Sequence, residues 1–234
     1  AGLALLHDHQ GYVWIGTQDG LDRYDRYTLT HFKFNAEDPA SLSHNSIIAL
    51  YEDADGFLWI GTWGGGLNRF DPAAQTFTRY TPDPAKTDVI SHGIVTDILR
   101  DAQDVVWAAT FGGLNRFDPA NGLFTSYRHD SNDPTSLGSD TLSVLLPAPD
   151  GKIWVGSGAF STPGVGLSLF DPAAGTAQRL DKMGSCLASP NVSDLLADPD
   201  GSIWIAYGGY GVAGGGLDHY NPQTGDCQHF DITS

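Results

Sequence analysis

Positive charge is scarce in this chain. Its 234 residues carry 12 Lys and Arg against 28 Asp and Glu, a net charge of −16. No basic run or stripe relieves that imbalance, so binding to DNA, RNA or an anionic membrane face would oppose the field of the whole molecule. Long hydrophobic runs are missing as well. No segment approaches the roughly 20 apolar residues that span a bilayer as a helix, and no membrane contact by this segment is expected. Sustained 3.6-residue periodicity is absent, which leaves no substantial helix. Only two cysteines occur, Cys186 and Cys227. They are compatible with one disulfide or none, and they exclude a disulfide scaffold.

What the chain does have is turns and aromatic rings. It holds 29 Gly and 13 Pro, together well above the roughly 12 % of average usage. Hydrophobic residues still reach 41 %, and six are Trp, an apolar load that a disordered chain does not carry. Five of the tryptophans, Trp14, Trp59, Trp107, Trp154 and Trp204, recur at spacings of 45, 48, 47 and 50 residues. The text around them recurs too: DHQGYVWI at 8–15, DADGFLWI at 53–60, DAQDVVWA at 101–108, APDGKIWV at 148–155 and DPDGSIWI at 198–205. A second block follows each: LDRYD at 21–25, LNRFD at 67–71, LNRFD at 114–118, LSLFD at 167–171 and LDHYN at 217–221.

Each repeat reads as four short β-runs. In the second copy these are Ile47–Glu52, Phe57–Thr62, Leu67–Asp71 and Thr76–Tyr80. A D-x-D-G turn separates the first two, a Gly cluster the next two, and an Asp-Pro turn the last two. Four strands at a period in the forties is the signature of a β-propeller blade. The expected fold is therefore all-β, with five four-stranded antiparallel blades at about 1–34, 46–80, 94–128, 141–180 and 191–232. They form a single domain over 1–234, either a closed five-bladed ring or part of a larger one. The column Trp should lie buried between blades on each second strand. The column Gly16, Gly61, Ala109, Gly156 and Ala206 should mark the places where only a small residue fits beside the next blade.

The consensus D-x-x-G-x-[LIV]-W-[IV]-G-T, followed by G-G-L-N-R-F-D, resembles the two-component regulator propeller repeat. The best copy is DADGFLWIGTWGGGLNRFD at 53–71. That resemblance implies the extracytoplasmic sensor region of a bacterial signalling protein, a ligand-recognition module and not an enzyme. Sensing of oligosaccharides is associated with several members of the family. A structural or protein-docking propeller is the alternative, and a propeller lyase or hydrolase a more distant one. Partners implied are an oligosaccharide or other small ligand, and a second copy or further repeats packed against the blades.

No catalytic constellation, cofactor motif or metal cluster recurs with the repeats. The D-x-D-G turns lack the downstream oxygens of a calcium loop and read as hairpin turns. Gly209–Gly214 matches G-x-G-x-x-G but joins two strands where a dinucleotide site needs a following helix. Asp97 and Asp194 share a column inside an otherwise apolar run, where a carboxylate should be buried or line a channel. Cys227 takes the column of Phe77 and Phe124 and should substitute for a buried apolar residue. Loop-length variation gathers on the face that bears the second-to-third strand loops, and a ligand is expected there. Its candidate residues are Trp63, Phe111, Phe160 and Tyr210 as aromatic platforms, with His44, Asn45 and His92 as polar contacts. Trp63 lies outside the repeat column and should be more exposed than the other five.

Overall fold

The computed structural model describes residues 2–158, 162–180, 186–208 and 215–231. Among the described residues, twenty strands form five antiparallel four-stranded meanders. The first sheet is β1 (Gly2–His7), β2 (Val13–Thr17), β3 (Gly20–Tyr24) and β4 (Leu29–Phe32). The second is β5 (Ile47–Glu52), β6 (Leu58–Thr62), β7 (Leu67–Asp71) and β8 (Thr76–Tyr80). The third is β9 (Val95–Arg100), β10 (Val106–Thr110), β11 (Gly113–Asp118) and β12 (Leu123–Tyr127). The fourth is β13 (Leu142–Pro147), β14 (Ile153–Ser157), β15 (Leu167–Asp171) and β16 (Thr176–Leu180). The fifth is β17 (Val192–Ala197), β18 (Ile203–Tyr207), β19 (Gly216–Tyr220) and β20 (Cys227–Phe230). No helix is present among the described residues. The chain divides into two compact units, Ala1–Phe111 with Asn115–Ser126, and Gly112–Leu114 with Tyr127–Ser234.

The repeat motif explains itself once its hydrogen bonds are traced. Asp53 accepts from the backbone N–H of Asp55 and Phe57 with one oxygen, at 3.1 and 3.0 Å. Its other oxygen accepts the indole N–H of Trp59 at 2.8 Å. Asp8 does the same for Gln10, Tyr12 and Trp14, and Asp101 for Gln103, Val105 and Trp107. Asp198 accepts from Trp204 at 2.9 Å. One carboxylate therefore closes the hairpin turn and satisfies the polar edge of a core tryptophan, a group that is costly to bury unpaired. Its oxygens are spent on protein donors, as the hairpin reading of these turns requires. The fourth repeat has Ala148 in this column. At the turn glycine's position the third repeat has Asp104, which keeps the left-handed backbone (φ 65°) seen at Gly56 (φ 82°); Asp is among the few side chains that tolerate it.

Within each unit, successive sheets mate through two different faces. One bears the column Trp and, two residues on, the column Gly. The other bears the aliphatic residues on either side of that Trp. Within the first unit, Trp14 meets Phe70 edge-on at 5.3 Å and Trp59 meets Phe117 at 5.0 Å. Within the second, Trp154 meets Tyr220 at 6.2 Å. The small column fits the next sheet's first strand: a Cβ on Gly16 would lie 2.8 Å from Ile47 Cγ2, one on Gly61 2.7 Å from the Val95 carbonyl, and one on Gly156 2.8 Å from Val192 Cγ1. No side chain larger than hydrogen fits those contacts without movement.

The connections are anchored as well. Asn68, from the L-N-R-F-D block, accepts from Ser43 N and donates to Ser43 Oγ. Asn115 holds Ser91 in the same way. Arg79 on β8 donates to the carbonyls of Ser41, Asn35 and Asp38, and Arg179 on β16 to those of Ser136, Asp130 and Asp133. Each guanidinium gathers a D-P-x-S-L connection into a fixed loop, using the planar donor fork that lysine lacks.

One expectation is corrected, that for Cys227. Asp97 is half-buried and Asp194 exposed, so neither carboxylate is fully buried. Each first strand carries a register shift just ahead of this column, between Val192 and Asp194 in β17 and opposite the Ala109/Thr110 step in β9. Each carboxylate is bonded to the N–H of the following residue, Ile98 or Leu195. Cys227 is not a plain apolar substitute. It is bridged to Cys186, with Cα atoms 5.8 Å apart, and ties the fourth strand of the last sheet to the connection that precedes its first strand.

Candidate functional site

In the first unit, three of the expected site residues come together. Trp63 follows β6, and its backbone N–H donates to Ser46 O at 2.9 Å; it bridges Ile94. Phe111 follows β10 and donates its N–H to Ile94 O at 3.3 Å. Their rings meet edge-on at 5.7 Å, and His92 stacks on Phe111 with centroids 6.0 Å apart. All three are half-buried, so Trp63 is indeed more exposed than Trp14, Trp59, Trp107 and Trp154, which are buried. Trp204 departs from its column and is half-buried too.

The loops beneath this cluster are locked by backbone. Gly64 and Gly66 both donate to Gly93 O, at 2.9 and 2.8 Å. Gly64 (φ 133°) and Gly66 (φ 78°) need backbone conformations that other residues rarely adopt. Gly93 packs so closely on Gly64 that an added Cβ would come within 2.4 Å of its carbonyl oxygen. Thr62 Oγ1 donates to Gly66 O at 2.8 Å and accepts from Gly65 N at 2.9 Å, which accounts for the threonine of the W-I-G-T motif.

His44 and His92 share a column and a local role. Nδ1 of each accepts the N–H two residues on, Ser46 or Ile94, at 3.0 Å. Ser139 and Ser189 in the same column do this through Oγ, toward Thr141 and Asn191. The column thus caps the turn into each first strand. With Nδ1 an acceptor, the neutral ring carries its proton on Nε2. His44 Nε2 lies over Gly64, 3.5 Å from where a Cβ would stand. Asn45 does not join the cluster. Its Oδ1 accepts from Phe34 N at 2.8 Å and its carbonyl from Gly20 N, so it fastens the end of the preceding sheet. Phe160 and Tyr210 lie outside the described residues, as do Gly209–Gly214.

In the second unit the end of the enlarged loop, 162–166, is bonded to the following connection. Gly164 N donates to Asn191 Oδ1 at 2.6 Å and Gly166 N to Pro190 O at 2.9 Å. Two polar clusters here escaped the sequence reading. Asp218 is fully buried and accepts from Tyr207 Oη at 2.5 Å and Ala188 N at 2.9 Å, while His229 Nδ1 lies 2.5 Å from its other oxygen. Burial, with the Asp218 carboxylate beside it, holds the Tyr207 phenol far above its usual range. The hydrogen bond to Asp218 raises the His229 imidazole. The second cluster sets Ser202 Oγ 2.8 Å and Asp198 Oδ2 3.0 Å from the same nitrogen, His219 Nε2. A nucleophile–base–acid relay needs the two partners on opposite ring nitrogens, so this arrangement is not one. Among the described residues no group of three or more His, Cys, Asp or Glu is placed to hold a metal ion.

Four-stranded meanders that repeat and mate in this way within each unit define a β-propeller class of repeat protein. Residues 41–64 match the family model described as two component regulator propeller. No curated protein matches it. Among solved structures, the extracellular domain described for a hybrid two component system, BT3049 from B. thetaiotaomicron, is 24% identical over 98% of this chain and 30% of that one, with a TM-score of 0.80. The extracellular domain described for a one component system from the same organism, BT4673, is also 24% identical, over 100% of this chain and 31% of that one, with a TM-score of 0.77. Virginiamycin B lyase from Staphylococcus aureus is 13% identical over 100% of this chain and 70% of that one, with a TM-score of 0.71. At these identities the likeness is one of fold, and the chain spans about a third of the length of the two extracellular domains.

Proposed function

We propose that this chain is a non-catalytic ligand-recognition module of a bacterial sensor, working outside the cytoplasm, and that it binds an oligosaccharide on the face bearing Trp63, Phe111 and His92. The observation that carries the reading is this half-exposed aromatic cluster on a backbone-locked loop pair. A sugar ring has an apolar face that suits an aromatic platform and a hydroxyl rim that suits a donor such as imidazole Nε2–H. His44, from the connection that precedes β5 and lying over Gly64, offers a second such donor. The sensor role is supported by the family match and by the two extracellular domains that share the fold. The Cys186–Cys227 bridge supports the compartment, because disulfides persist where the environment is oxidising. The lyase shares the fold at 13% identity, and fold alone does not transfer chemistry.

The test is calorimetric titration of the protein with a panel of neutral oligosaccharides, comparing wild type with Trp63→Ala and Phe111→Ala. Binding by wild type that falls at least tenfold in both variants supports the site. Binding that survives both substitutions places the ligand elsewhere, and no binding across the panel removes the sugar reading.

A further inference from the structure

Within the first unit, a cavity of about 190 Å³ lies between the first and second sheets. The turn at 8–12 and the turn that joins β7 to β8 border it. It therefore sits at the opposite ends of the strands from the Trp63 cluster. Its cation is Arg23 on β3, half-buried. The guanidinium lies over the Tyr12 ring at 4.8 Å and near the Trp14 ring at 5.6 Å. Stacking uses the flat face of the group and leaves its N–H edge for planar acceptors. Among the described residues that edge meets no carboxylate, and it makes one long hydrogen bond, 3.5 Å to Gln75 Oε1. The two acids in the cavity wall are committed to other donors. Asp8 takes two turn N–H groups and the Trp14 indole. Glu52 accepts from His9 N at 2.9 Å, and its other oxygen lies 2.5 Å from His9 Nδ1.

Gln75 sets this cavity apart from the other repeats. Four third-to-fourth strand turns share one backbone bond, from Gln75 N, Gly122 N, Gly175 N and Gly225 N to the carbonyls of Asp71, Asp118, Asp171 and Asn221. Three of them place glycine in the left-handed conformation, at φ 73°, 68° and 79°. Gln75 adopts it at φ 57°, where glycine carries no steric cost and other side chains do. The Gln75 amide nitrogen donates to Pro72 O at 2.6 Å, which fixes the side chain with Oε1 toward Arg23. A strained residue at the edge of a cavity, where its counterparts are glycine, is a sign of function.

The geometry points to a second binding site here, for the carboxylate of a small organic monocarboxylic acid. Two parallel N–H groups of Arg23 donate to the two carboxylate oxygens, a match of both charge and shape. Gln75 is the positioning residue that holds the guanidinium. The volume falls below the roughly 300 Å³ at which drug-sized pockets begin, so the acid is a small one. Asp8 and Glu52 in the wall oppose a dianion by like charge, which selects a single carboxylate over sulfate.

The test is ligand-observed NMR titration of the full chain with acetate, lactate and benzoate, and with sulfate at matched ionic strength. Wild type should bind at least one monocarboxylate saturably in the millimolar range, and sulfate at least threefold more weakly. Arg23→Gln should weaken that binding at least tenfold. Gln75→Gly restores the residue of the other turns, so its melting temperature should be unchanged or raised while its affinity falls at least threefold. A near-ultraviolet circular dichroism spectrum checks folding, and Gln75→Gly carries the test alone if Arg23→Gln fails to fold. No saturable binding of any of the three acids overturns the proposal. So does binding that survives Arg23→Gln or Gln75→Gly, or sulfate that binds as tightly. Failure here leaves the Trp63 site untouched, because the two lie at opposite strand ends and are read with different ligands.

Discussion

Trp59 and Trp204 occupy the same place in the same repeat, and both give their indole N–H to the turn aspartate. Trp59 is buried against Phe117 of the next sheet and Tyr80 of its own. Trp204 has aromatic company from its own sheet, His219 and Phe230, and stays half-buried. The difference shows which part of a repeat's stability is local and which is lent by a neighbour. The aspartate latch and the turn are local. Removal of the tryptophan ring from water is completed by the next sheet.

The sharpest way to break this comparison is to delete both rings. Trp59→Ala should cost about 3–5 kcal/mol in urea unfolding, the sum of lost transfer energy and the cavity left behind. Trp204→Ala should cost roughly 1–2 kcal/mol, since less area leaves water. Equal losses would mean that the neighbouring sheet adds nothing. The fifth sheet carries a tie of its own in its disulfide, which closes a separation of 41 residues. Reduction, or Cys227→Ser, should remove about 2–4 kcal/mol, and local hydrogen exchange should show the loss concentrated in β19 and β20.

A smaller effect isolates the latch. Asp53→Ala should cost about 1–3 kcal/mol, because the Trp59 indole and two turn N–H groups lose a charged acceptor. The fourth repeat offers the reverse experiment. Its turn has the same backbone bonds, Ala148 N to Lys152 O and Gly151 N to Ala148 O, but no carboxylate in the latch column. Ala148→Asp should place one within reach of Trp154 and stabilise the protein by about 1 kcal/mol. The smallest effect concerns pH. His229 titrates above its usual value in the folded chain because Asp218 accepts its hydrogen bond. The protonated pair therefore contributes fully below the ordinary histidine value of about 6.5, and that contribution fades as pH rises through the raised folded value. His229→Gln should flatten this slope in thermal melts taken from pH 5 to 9 and leave the acid limb unchanged.

The repeat was legible because its signal is local. Run limits such as Leu67–Asp71 and Thr76–Tyr80 coincide with β7 and β8, since turn chemistry and alternation are written in adjacent residues. The small column at Gly16, Gly61 and Gly156 was legible for the same reason. Contributions from more distant parts of the chain were not. Asp97 and Asp194 sit in an apolar run and read as buried or channel-lining; a one-residue register shift precedes that column, and nothing in the run itself announces the shift. Arg79 and Arg179 each close a loop some forty residues upstream. The sign was present in the D-P-x-S-L text at 38–42 and 133–137, paired with an Arg on the fourth strand. Of the candidate site, the meeting of Trp63, Phe111 and His92 follows from their loop positions. The bonds of Asn45 to Phe34 and Gly20 link parts of the chain too far apart in sequence to be read from its own run.

The two faces of each sheet also give a blade a direction, as a tongue and a groove give one to a floorboard. A gene segment that encodes one blade can be copied beside itself, and every joint in the product still pairs a tongue with a groove. No existing contact has to be redesigned. Blade number can therefore drift by duplication while the sequence of each blade stays under the same constraint. Differences in loop length, which set the unequal spacings of the five tryptophans, leave that pairing of faces intact.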